Sequence, residues 1–99
     1  MNDHHARTPR PRSVAELAAS SPAWQVETDQ RGRWLTAERR ITHDGRRWLI
    51  GLTPVRDGVV ALVLWSGDVV AGHARGSEAE MCARADRWVA DLMARRLMP

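Results

Sequence analysis

The sequence predicts an α+β domain. An antiparallel β-meander of four to five strands is preceded by a short helix and followed by a long amphipathic helix packed on one face of the sheet, in the order α-β-β-β-β-β-α. Three observations carry this prediction. Val59 to Trp65 (VVALVLW) has no polar side chain, is rich in β-branched residues and has the length of one strand. Asp44-Gly45, Asp57-Gly58 and Ser66-Gly67-Asp68 set tight turns at hairpin intervals around it. From Ser77 onward the apolar spacing changes to three and four residues, the period of a helix with one buried face.

Residues 1–12 (MNDHHARTPRPR) hold prolines, arginines and histidines with almost no apolar side chain, so burial cannot offset their ordering entropy. A disordered basic tail is expected there, with a single domain over 13–99. His4 and His5, adjacent on that tail, are read as solvated rather than as metal ligands. Ser13-Val14-Ala15-Glu16 has the S-x-x-E form of a capping box, and Ser20-Ser21-Pro22 closes a helix of about two turns whose Val14, Leu17 and Ala18 must pack on something.

The pattern then turns to strands. Trp24 to Thr28 alternates, and Asp29 to Gly32 makes a turn. Arg33 to Thr42 puts Leu35, Ala37 and Ile41 on one face and Trp34, Thr36, Glu38 and Arg40 on the other. Beyond Asp44-Gly45 comes the strand Arg47 to Thr53, and Pro54, which lacks an amide hydrogen, is expected at its end. The Val59 run follows as a central strand buried on both faces, then Val69 to Ala74. Ser77-Glu78-Ala79-Glu80 is a second capping box with acids suited to the helix dipole. Met81, Ala85, Trp88, Val89, Leu92, Met93 and Leu97 form one stripe of a helix of about twenty residues, with arginines near its C-terminus.

One helix cannot cover both faces of a sheet whose central strand is apolar on each side. The short N-terminal helix is expected to take part of the second face and a second copy of the chain the rest, which makes a homodimer through the sheet or the helix.

Ninety-nine residues fit one domain. The single cysteine, Cys82, rules out a disulfide framework and fits a reducing, cytoplasmic compartment. No stretch has the roughly 18 apolar residues of a spanning helix, and the N-terminal arginines precede no apolar signal region, so no membrane is expected. All fifteen basic residues are arginine, with no lysine, tyrosine or phenylalanine, the mark of a GC-rich codon bias. Residues 13–99 carry twelve arginines against eleven acids, so the domain is close to neutral and the high pI comes partly from the tail.

Nucleic-acid binding would use the tail (Arg7, Arg10, Arg12), the pairs Arg39-Arg40 and Arg46-Arg47 flanking the first Asp-Gly turn, and an exposed tryptophan, Trp34 or Trp24, as a stacking surface. Glu38 and Asp44, interleaved with those arginines, weaken that reading, and Trp48, Trp65 and Trp88 fall in apolar patterns as core residues. Gly76-Ser77 and the alanine-rich helix that follows, after a strand meander with a helix in front, resemble a double-stranded-RNA-binding domain over about the last third of this chain. That family holds phosphates with lysines where this sequence has Glu78 and Glu80, so the family is not adopted. A thiol and imidazole pair of Cys82 and His73 has no third group, His43-Asp44 is explained by its turn, and no phosphate loop, nucleophile elbow or metal-ligand spacing occurs.

What is expected is therefore a small non-catalytic cytoplasmic accessory or adaptor protein, without cofactor or metal, acting by protein–protein interaction with an unknown partner and by self-association. The alternative is a nucleic-acid-binding protein using the tail and hairpin arginines.

Overall fold

The computed structural model describes residues 10–94. α1 (Val14–Ser20), β1 (Gln25–Thr28), β2 (Trp34–His43), β3 (Arg46–Arg56), β4 (Val59–Ser66), β5 (Val69–Gly76) and α2 (Glu78–Met93) follow in the predicted order. The strands form one antiparallel sheet, β1-β2-β3-β4-β5.

Local chemistry sets the hairpins. His43 pairs with Arg46, leaving Asp44 and Gly45 as the loop, with φ of 53° and 76°. Two left-handed residues make a type I′ turn, whose twist matches that of the strands it joins. Aspartate tolerates this conformation and glycine takes it without steric penalty. The β1–β2 loop is organised by Asp29, whose Oδ1 accepts from the amides of Arg31 and Arg33 at 2.8 and 2.9 Å and whose Oδ2 accepts from Arg33 Nε at 3.2 Å. Those donors, the Arg33 amide foremost, hold its carboxyl below its ordinary value.

Alternation along the strands builds one core. Ala37 and Ile41 of β2, Trp48, Ile50 and Leu52 of β3, and Val60, Leu62 and Leu64 of β4 are buried on one face, with Leu52 paired to Leu62 and Ile50 to Leu64. α2 lies over them with Met81, Cys82, Ala85, Val89 and Leu92 buried. Each of the larger of these side chains contributes roughly 1.5–3 kcal/mol by leaving water. Trp88 rests on β5 where there is no side chain: a Cβ at Gly72 would stand 3.5 Å from its Cη2.

α1 departs from expectation. It packs beside α2 on this same face, placing Val14 and Leu17 in the core, leaving Ala18 exposed and, among the described residues, the second face of the sheet without a helix. Burial of Val14 and Leu17 beside α2 favours this placement, and a long-range cap accompanies it. Ser13 Oγ accepts from the Glu16 amide at 3.1 Å, but the Glu16 carboxylate turns back to the amide of Arg12, 2.8 Å away. The Val14 amide, an orphan donor of the first helical turn, instead donates to Glu78 Oε2 at 2.9 Å and ties the two helix starts together. The second capping box is complete, with Ser77 and Glu80 exchanging both bonds. Arg10 pairs with Asp86 at 3.0 Å and Pro11 is buried, so contacts reach past residue 13 into the expected tail. The rest of that tail, with His4, His5 and Arg7, lies outside the described residues, as do Arg95 and Leu97.

Other differences have local causes. Glu27 pairs with Thr36 but Thr28 with Trp34, so Leu35 is the extra residue of a bulge. The alternation inverts there: Leu35 is 45% exposed and Trp34 packs on the core. Trp24, expected at the surface, is buried. β3 runs through Pro54 to Arg56, beyond its last pair with β2 (Ala37 with Leu52), so the proline occupies a stretch with no neighbour on that side. α2 spans sixteen residues rather than about twenty, and its last turn up to Met93 carries no basic side chain.

Candidate functional site

The second face of the sheet is where the chain presents a continuous surface. The register lays its outward side chains in rows across the strands. Arg40, Leu49, Trp65 and Val70 form one row, Glu38, Gly51, Val63 and His73 the next, and Ala61 pairs with Thr53 and Arg75 in a third. Leu49, Ala61, Val63 and Trp65 are half-buried by their neighbours only, and Val70 is 45% exposed. Among the described residues no helix packs on this face. The central strand is therefore buried on one side, through Val60, Leu62 and Leu64, and not on both as its apolar run implies.

The hairpin arginines do not share one surface. Adjacent strand residues point to opposite faces, so each pair is split. Arg40 and Arg47 lie on the open face, where Arg40 donates to Gln25 Oε1 at 3.1 Å and lies 3.7 Å from Glu38 Oε1. Arg39 and Arg46 lie on the helix side, Arg46 with its guanidinium 5.9 Å from the Trp48 ring centroid. Arg39 Nε and His43 Nε2 are enclosed there without a hydrogen bond, and the Asp44 carboxylate lies 4.0 Å from His43 Nε2. Arg10 is engaged by Asp86, Arg12 sits near Arg84 and Arg87 beside α2, and Trp34 is half-buried against the core.

No protein family, no curated protein and no solved structure matches this chain. Its own surfaces therefore carry the functional argument.

The other candidate chemistries are not assembled. Cys82 is fully buried under the sheet, whereas His73 pairs with Val63 and points to the opposite side, so thiol and imidazole do not meet. Burial first, with Glu78 and Glu16 adding repulsion, pushes the Cys82 thiol up to about 12, the reverse of an activated nucleophile. Glu78 and Glu80 are both committed to helix starts. Among the described residues no three His, Cys, Asp or Glu side chains gather as metal ligands, and no helix is long and apolar enough to cross a membrane. A groove of about 650 Å³ runs between α1 and the β1–β2 hairpin, with Val14, Ala18, Val26, Trp34 and Pro54 in its lining and Asp29 with Arg33 on its wall. It has no convergent set of polar groups beyond that one internally paired couple.

The open-face residues Leu49, Gly51, Val63 and Trp65 were not among the sequence candidates. The apolar pattern around Trp65 implies a core position, because a run that is apolar on both sides does not reveal which side lacks a cover. The lone glycine inside RWLIGLT was the available signal.

Proposed function

We propose that this chain is a small non-catalytic cytoplasmic accessory or adaptor protein that works by protein–protein contact and associates with itself through the open face of its sheet. The observation that carries the reading is the contiguous apolar set Leu49, Val63, Trp65 and Val70 on a face that neither helix covers. An antiparallel sheet commonly leaves one face in water, but such a face then alternates to polar side chains. Here the central strand puts Val59, Ala61, Val63 and Trp65 outward instead. A contiguous apolar patch that is half-buried by its own neighbours and open at Val70 supports an interaction surface. The unpaired, unreactive thiol supports a reducing compartment, and the scattering of titratable groups supports binding over catalysis.

Sedimentation equilibrium of the full chain, from about 1 to several hundred micromolar, tests the reading. A dimer mass is expected, with Val63→Glu shifting the chain to monomer while its circular dichroism stays native. One-chain mass across the range would overturn it.

A further inference from the structure

We infer that Gly51 is a socket for a second copy of this chain, filled across a two-fold axis by the indole of the other copy's Trp65. The inference rests on the self-association reading above and specifies its geometry.

Gly51 sits in the middle of β3, an inner strand of the sheet. A glycine there destabilises a strand by roughly 0.5–1 kcal/mol relative to alanine, and its usual justifications are a left-handed φ, a bulge or a close approach of other atoms. None applies among the described residues. The positive-φ glycines are Gly32, Gly45, Gly58 and Gly67. The register passes through Gly51 without a shift on either side, pairing it with Glu38 and with Val63. A Cβ at Gly51 would meet nothing within 4 Å, whereas one at Gly72 would touch Trp88 of the same chain. The missing side chain at Gly51 therefore leaves a hollow in the open face, flanked by Leu49 and Thr53 along the strand and by Val63 and Glu38 on the two neighbouring strands.

The knob that fits such a hollow stands next to it. Trp65 pairs with Leu49, so it lies one strand across from Gly51 and one same-face position along, about 4.8 Å and about 6.8 Å in strand geometry. In an isologous dimer every contact occurs twice. One two-fold axis that brings each Trp65 over the other copy's Gly51 satisfies both hollows and places Leu49 and Val63 at the centre. With this offset the strands of the two copies cross steeply, in the near-orthogonal class of sheet packing.

The available area is sufficient. Five strands at about 4.8 Å spacing and eight residues at about 3.4 Å rise give a nearly square face of roughly 650 Å² per copy. Two such faces bury roughly 1,300 Å², above the 1,000 Å² or so that a specific interface needs. A second copy brings a face of matching size, with the same apolar centre on β3 to β5, the same charged residues around it, and its own knob and hollow.

The test uses the full chain and the variants Gly51→Val, Trp65→Ala and their combination, each melted by circular dichroism to verify the fold and then taken to sedimentation equilibrium. Gly51→Val keeps an ordinary strand φ with open space above it, so at concentrations where both proteins are monomeric it should melt at or above the wild-type temperature. Each single variant should weaken dimerisation at least tenfold. The double variant should be far weaker in effect than the product of the two, because both remove the same contact. A wild-type dimer that Gly51→Val leaves intact, or fold-changes that multiply, would overturn the socket while self-association stands. A wild-type chain that stays monomeric removes both. A monomer that binds a labelled single-stranded oligonucleotide, with binding lost in Trp65→Ala, assigns the face to nucleic acid and also overturns the inference.

Discussion

Leu62 and Val63 are consecutive residues of the central strand with opposite fates, and replacing each by alanine separates the two faces of the sheet. Leu62 is fully buried, paired with Leu52 on one side and Ala74 on the other, beneath α2. Truncating a buried leucine costs about 2–5 kcal/mol, more where the surroundings cannot collapse into the space. Strands hold both flanks here, so about 4 kcal/mol is expected, a large part of the 5–15 kcal/mol typical of a whole domain. At about 4–8 °C per kcal/mol for a domain of this size, the melting temperature should fall by roughly 15–30 °C. Val63 has the same two strand neighbours but no helix above it, so Val63→Ala should cost under about 1 kcal/mol. Urea titrations followed by circular dichroism, at low micromolar chain concentration so that association does not contribute, give both values from midpoints at constant slope. Equal losses at the two positions would mean that the second face is covered within the chain, and the open-face argument would fail.

Three further outcomes follow from the packing and electrostatics. Cys82, buried and with its thiol pushed up to about 12, should be inert to Ellman's reagent near pH 8 until urea unfolds the chain; rapid labelling of the folded protein would contradict its placement. Asp29 and Glu80 are held below their ordinary values of 3.8 and 4.5, Asp29 chiefly by the Arg33 amide and Glu80 by the Ser77 amide. Each binds its proton more weakly folded than unfolded, so its contribution is whole above those ordinary values and is lost as pH falls through them to the lowered ones. Melting temperature should drop on acidification below about pH 4.5, and Asp29→Asn with Glu80→Gln should flatten that limb; an unchanged acid slope would count against both assignments. Glu78→Ala should cost about 1 kcal/mol and speed hydrogen exchange at Val14, with Glu78→Gln restoring protection because it keeps an acceptor; unchanged exchange in the alanine variant would remove the helix–helix cap.

The elements legible in the sequence are those whose causes are local. Asp44-Gly45 dictates its turn by backbone conformation alone, and Ser77 with Glu80 closes its own capping box, so strand order and the start of α2 follow from short stretches. The side on which α1 falls depends on its long-range packing beside α2, which includes a carboxylate sixty-four residues from the amide it caps, and no window of sequence contains both. The Trp34–Leu35 inversion depends on a bulge, which alternation cannot reveal because it is a break in the alternation. The division of Arg39-Arg40 and Arg46-Arg47 between two faces follows from the period of two, and so does the pairing of Leu49 with Trp65 once the meander is accepted. The period does not say which apolar face a helix will take, because both faces of the Val59 run satisfy the same rule.

The two classes of partner for the open face respond to salt in opposite ways. A single-stranded oligonucleotide would have to be held by the cations of this face, Arg40, Arg47 and Arg75, against Glu38 in the same rows. Arg40 already spends donors on Gln25 and lies beside Glu38, so two or three phosphates is the most that the face neutralises. At about 0.7 counterions released per phosphate, log affinity would fall against log salt with a slope of roughly −1.4 to −2.1. Association of apolar faces releases no such counterions, and excluded salts such as sulfate strengthen it. Raising sodium sulfate at fixed chain concentration should therefore leave the dimer intact or tighten it. A dimer that dissolves as the salt rises would mean that charged contacts, not Leu49, Val63 and Trp65, hold the copies together, and the socket at Gly51 would lose its driving force.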